Sequence, residues 1–170
     1  MPYPEALVRP MREELTRLGV QELSDVQAVD AFLDEAQAGT SLVIVNSVCG
    51  CAAAMARPAV AMAMQAEALP DRFVTVFAGQ DMEATAAVRD YLAGIPPSSP
   101  FMALMKDGDP VFVLERRHIE GRSAAAIATD LVNAYARHCA EGAAPAEGVE
   151  TPQGGSNRGE GLGPSFRSIL

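Results

Sequence analysis

The stretch Leu42-Val43-Ile44-Val45-Asn46-Ser47-Val48-Cys49-Gly50-Cys51, followed by an alanine-rich segment from Ala52 to Ala68, decides how this chain folds. A four-residue apolar run reads as a buried strand, and an alanine-rich stretch of that length reads as a helix. Two thiols therefore sit at a strand-to-helix turn. The first amide N–H groups of a helix lack intrahelical partners, and that end carries roughly half a positive charge. Both effects favour a thiolate over a thiol, so a dithiol placed there suits thiol–disulfide exchange.

The spacing constrains the turn further. Inside regular helix, side chains two positions apart point about 200° from one another. They could not meet, because a disulfide needs Cβ atoms roughly 3.5–4.5 Å apart. Cys49 must precede the helix proper, with Gly50 bending the chain, and a ring so small is strained and easily reduced. Two other readings stay open here: a pair of small buried residues, and half of a zinc site. The second lacks any further Cys or His pair at ligand spacing.

Asn46 to Ala53, followed by Ala56-Arg57-Pro58-Ala59, resembles the signature of the bacilliredoxins, thioredoxin-fold proteins with Cys-Gly-Cys in place of Cys-X-X-Cys. Pro10 to Leu15, Ser98-Ser99-Pro100, Lys106-Asp107-Gly108 and Ile119 to Arg122 extend the resemblance in the right order over about residues 3 to 139. It implies a cytoplasmic protein that removes the low-molecular-weight thiol bacillithiol from mixed disulfides on S-thiolated proteins. Thiol–disulfide isomerase activity is also implied.

Composition agrees with this frame. The 170 residues suffice for one domain with a core, and 49% apolar with 21% charged content is ordinary for a globular protein. No apolar run reaches the ~18 residues that cross a bilayer. The opening Met1-Pro2-Tyr3-Pro4-Glu5 has neither a basic nor an apolar region, so a cytoplasmic location is expected. Three cysteines, an odd number, fit a reducing compartment. The net charge of −9 and the lack of a basic run argue against nucleic acid or membrane as partner.

Elsewhere in the chain, Leu7, Met11, Leu15 and Leu18 lie at helical spacing, with Pro10 expected to begin or kink that helix. Ser24 with Gln27 reads as a capping box for a second helix through Ala36, closed by Gly39. Pro58 should bend the helix after the thiols, and Met55, Met62 and Met64 read as core. Residues 73–77 read as a strand, 82–92 as a helix capped by Asp81, and 101–105 with 111–114 as a hairpin through Asp107-Gly108. Ser123 should cap the last helix. The expected fold is α/β and thioredoxin-like, β-α-β-α-β-β-α, with a mixed four-stranded sheet and an N-terminal helical extension. Residues 1–140 form the domain. Residues 141–170, rich in Gly, Pro, Ala and Glu, are expected to be a flexible tail, with Phe166 and Ile169-Leu170 able to dock.

For the chemistry, Cys49 is the expected nucleophile and Cys51 the resolving thiol, although removal of a small thiol can run through Cys49 alone. The resemblance implies a cis peptide at Ser99-Pro100, leaving Ser99 to contact substrate through its main chain. Arg57 is a candidate for the carboxylates of bacillithiol or else a solvated helix residue, and Asn46 could donate to a thiolate. His118 reads as a surface histidine and Cys139 as incidental. No metal site and no dissociable cofactor are expected beyond the Cys49–Cys51 pair, with bacillithiol as thiol co-substrate. Two alternatives remain: a general protein disulfide reductase or isomerase, and a metal or metallocluster carrier using Cys-Gly-Cys.

Overall fold

The computed structural model describes residues 2–152, so Phe166 and Ile169-Leu170 lie outside the described residues. Its elements run α1 (Glu5–Thr16), β1 (Gln21–Glu22), α2 (Val26–Glu35), β2 (Thr40–Asn46), a π turn (Ala52–Ala56), α3 (Arg57–Ala63), β3 (Arg72–Phe77), α4 (Met82–Tyr91), β4 (Phe101–Lys106), β5 (Asp109–Leu114), α5 (Arg116–Ile119) and α6 (Ala124–His138). The sheet order is β1-β3-β2-β4-β5. β2 and β3 pair in parallel, as a helical crossover requires, and β4 runs antiparallel to both β2 and β5. The expected four strands are thus present in the thioredoxin-like α/β arrangement. A fifth, the two-residue β1, adds to the free edge of β3.

β2 is buried along its whole length because helices cover both of its faces. Leu42 and Ile44 point into a core built with α3 and α6, around Val60, Ile127, Leu131 and Tyr135. Val43 and Val45 point the other way, into a core with Val29 and Phe32 of α2 and Val88 of α4. The hairpin closes on two residues, Asp107 at φ 50° and Gly108 at φ 88°. Two consecutive positive φ values make the primed turn whose twist matches its strands, which is why Asp-Gly is legible as a hairpin.

Several expectations need correction. α1 begins before Pro10 and carries it inside; Ala6 and Pro10 are exposed, so the carbonyl that loses its N–H partner faces water. Asp25, not Ser24, caps α2, its carboxylate accepting from the Ala28 N–H at 2.8 Å. A carboxylate at that position also complements the helix dipole. Asp81 precedes α4 but gives its oxygens to Arg12 rather than to the helix. The alanine-rich helix ends at Ala63, and Met62 is half exposed, whereas Met55 and Met64 pack on the core.

The segment from 141 is not free in its described part. Val113 N–H donates to Glu150 O and Glu150 N–H to Val111 O, each at 2.9 Å, so the chain returns alongside β5. Glu150 also pairs with Arg137 at 2.8 Å. Composition missed this because one pairing residue on an open edge leaves no periodic signal.

Candidate active site

The site is made where β2 runs out. Beyond Asn46 the chain leaves the sheet, passes through Ser47 and Val48, and turns back into helix. Cys49 O accepts from the Ala52 and Ala53 N–H groups at 3.1 and 3.3 Å, so Cys49 closes the helix start while Cys51 already has helical φ and ψ. The next turn is widened: Arg57 N–H bonds Ala52 O, five residues back. Pro58 comes next, at the start of α3, and has no N–H to offer the ladder, so the irregularity sits beside it. One extra residue rotates the downstream side chains by about 100° relative to a plain helix.

That rotation matters for Arg57. It is only 3% exposed, and its Nε donates to Glu14 at 2.6 Å. Its Nη1 donates to Asn46 Oδ1 at 2.9 Å and to Ser47 O at 3.0 Å. Arg57 is therefore neither solvated nor open to a substrate carboxylate; it holds the loop from beneath. Asn46, 2% exposed, also departs from expectation. Its Oδ1 accepts from Ser47 N–H at 2.9 Å and its Nδ2 donates to Met11 O at 3.2 Å. It orients the loop and ties it to α1, and makes no bond to a sulfur.

The group that does reach the nucleophile is Ser47, which lies inside the signature stretch Asn46 to Ala53 but is not among the expected site residues. Its Oγ donates to Cys49 Sγ at 3.2 Å, and Cys51 Sγ lies 2.8 Å from Cys49 Sγ. Burial works against ionisation of Cys49. The Cys51 thiol, the Ser47 hydroxyl and the N–H groups of Ala52 and Cys51 outweigh it, and Cys49 is held below the usual thiol range. Cys51, 8% exposed, is pushed up by burial and then by the neighbouring Cys49. The two thiols are thus split into a partly exposed one whose pKa is lowered and a buried one whose pKa is raised.

The Ser99–Pro100 peptide is cis. Phe101, next along, pairs with Val45 in the register of β4 on β2, which sets this turn at the same end of the sheet as the Cys49 loop. Ser99 O accepts from Arg116 Nη1 at 3.4 Å. His118 is half-buried rather than a surface group, and its Nδ1 accepts from the Glu115 N–H at 3.0 Å to cap α5. Burial and then Arg117 lower its pKa. Cys139 lies near Thr40, at the start of β2. That is about 20 Å of strand from Asn46, at ~3.3 Å per residue. Burial raises its pKa, so it stays a thiol.

Comparison with known proteins places the chain in a family. The Disulphide isomerase family profile matches residues 3–139. A bacilliredoxin of Salinibacter ruber is 57% identical over 170 residues, covering 99% of each chain. A bacilliredoxin of Bacillus licheniformis is 49% identical over 138 residues, covering 81% of this chain and 95% of its own. A solved thioredoxin from Fasciola hepatica is similar at TM-score 0.47 and 17% identity, covering 70% of this chain and 99% of that one. A profile spanning the fold from α1 to the end of α6, with relatives this similar over nearly their whole length, assigns the chain to the bacilliredoxins, a family of thiol–disulfide oxidoreductases.

Proposed function

We propose that this oxidoreductase removes a low-molecular-weight thiol, bacillithiol, from mixed disulfides on cytoplasmic proteins. The observation that carries the reading is the asymmetry of the thiols: Cys49 is partly exposed and favoured as thiolate, and Cys51 is buried and favoured as thiol. The Cys49 thiolate attacks the small-thiol sulfur of the mixed disulfide. A Cys49–S–S–R bond forms, the bond to the client protein breaks, and the client sulfur leaves as a thiolate that takes a proton from water. Two routes then restore the enzyme. Cys51, once deprotonated, attacks Cys49 and expels R–S⁻, leaving a Cys49–Cys51 disulfide that a thiol reductant opens with two electrons. Alternatively a second small thiol attacks Cys49–S–S–R and departs as R–S–S–R.

The test uses a cysteine peptide carrying bacillithiol as its mixed disulfide. Cys51→Ser protein should release the peptide thiol and retain one bacillithiol on Cys49 by intact mass, while Cys49→Ser releases none. Equal release by the two variants overturns the assignment. The family's description as disulphide isomerases favours a second reading, reduction or isomerisation of protein disulfides. In that case Cys51→Ser protein would trap a client protein on Cys49 and leave the bacillithiol peptide untouched.

A further inference from the structure

With Arg57 buried beneath the loop, a different cation stands at the dithiol's end of the sheet. β5 ends at Leu114, which pairs with Met102, two residues beyond cis-Pro100; Phe101 in turn pairs with Val45, four residues before Cys49. Arg116 therefore leaves the sheet at the same end as the dithiol. Its main chain is anchored there, its N–H donating to Ser98 Oγ at 3.1 Å, and its Nη1 reaches Ser99 O at 3.4 Å. The side chain stays 45% exposed. Its carboxylate partner among the described residues is Glu120, at 3.4 Å and itself 61% exposed. Exposed pairs of this kind are weak and exchange readily for another anion. A guanidinium has five N–H donors in a fixed fork; Glu120 and Ser99 occupy two, leaving the others for a planar anion.

The charge environment is consistent. Cys51 when ionised, then Glu120 and Cys49, would favour the charged form of Arg116, and Arg116 in turn eases the ionisation of Cys51 that burial and Cys49 oppose. Arg117 is a contrast, more exposed and held on Glu115 at 2.9 Å.

We propose that Arg116 is the specificity residue of the site, receiving a carboxylate carried by the small-thiol half of the mixed disulfide, with Glu120 as the anion it gives up when that substrate binds. The proposal rests on the reading of the protein as a remover of small thiols.

One cysteine peptide is prepared as three mixed disulfides, with mercaptosuccinate (anionic), 2-mercaptoethanol (neutral) and cysteamine (cationic). For each protein, the readout is the ratio of kcat/KM for the mercaptosuccinate substrate to that for the 2-mercaptoethanol one. The ratio should fall about tenfold in Arg116→Gln, fall less in Arg116→Lys, rise about twofold in Glu120→Gln and stay put in Arg117→Gln. Arg116→Gln should also improve the cysteamine substrate relative to the neutral one. A ratio unchanged within twofold in Arg116→Gln overturns the proposal, even where both rates drop, because Arg116 would then act on the sulfurs alone. Wild-type protein that reduces a protein disulfide but turns over none of the three overturns the small-thiol reading and the proposal with it. Turnover of all three with no Arg116-dependent ratio removes only the proposal.

Discussion

At the scale of single residues, the reactivity of Cys49 depends on short contacts that a sequence does not display. Ser47 lies two positions before the nucleophile, and its Oγ reaches Cys49 Sγ only because the chain folds back between them. Removing that neutral donor should cost about 1 kcal/mol of thiolate stabilisation and so raise the Cys49 pKa. The rate of Cys49 alkylation against pH should therefore have its midpoint below the usual ~8.5 in the wild type and nearer to it in Ser47→Ala. The sign comes from the direction of the shift. A lowered pKa keeps the reactive thiolate present as pH falls towards neutrality, and Ser47→Ala loses reactivity first at the acid end. A profile that does not move would leave the Cys51 thiol and the helix-start amides as the sources of the lowering. Gly50 departs from its expected role: it already lies in the helix start without a positive φ, and a Cβ added there would meet nothing within 4 Å, so the close approach of the two sulfurs does not depend on a missing Cβ.

At the scale of elements, the active loop is held by a helix that precedes the sheet. α1 supplies Glu14 to Arg57 and the Met11 carbonyl to Asn46, and both recipients are buried. Arg57→Met leaves Asn46 Oδ1 and Ser47 O without that donor. It should lower the unfolding free energy by about 3 kcal/mol, the low end for a broken buried ion pair, because Glu14 is half exposed. Glu14→Gln keeps a hydrogen-bond acceptor and should cost about 1 kcal/mol. Urea unfolding checks both, and Cys49 alkylation at neutral pH should slow in Arg57→Met more than in Glu14→Gln. Equal, small effects from the two substitutions would show that the loop keeps its shape without α1. None of this is visible in the helix pattern. Five alanines among residues 52–59 give no amphipathic contrast, and the π turn shifts the phase just before Arg57, so an arginine that reads as free to face water is turned inward.

At the scale of the whole molecule, the dithiol and the third cysteine sit at opposite ends of β2, and the chain beyond α6 returns along β5. Deleting residues 141–170 removes two main-chain hydrogen bonds to β5 and the Arg137–Glu150 pair. A loss of about 1–3 kcal/mol in unfolding free energy is expected, from ~1 kcal/mol per hydrogen bond and little for an exposed ion pair. Exchange on a peptide mixed disulfide should stay within about threefold, as it should in Cys139→Ser, because Cys139 and the described part of the segment lie away from Cys49. A tenfold loss on the peptide in either variant would place part of the active site at the wrong end of the sheet. A loss seen only with a whole client protein would make the C-terminal segment a docking element.

The short β1 and α5 were not legible in the chain itself. The order of the four main strands and the helices between them, the hairpin at Asp107-Gly108 and the setting of two thiols at a strand-to-helix turn were. These rest on local causes: apolar periodicity, residues that tolerate positive φ, and caps such as Ser123, which accepts from Ala126 N–H. Only the packed molecule settled which polar group meets which. Arg57 became a buried brace and Asn46 a loop anchor, Arg116 came to the thiols from 65 positions beyond Cys51, and Glu150 returned to β5. Each of these depends on strand register or helix phase summed over many residues. Such sums carry no signature in any short window of the chain.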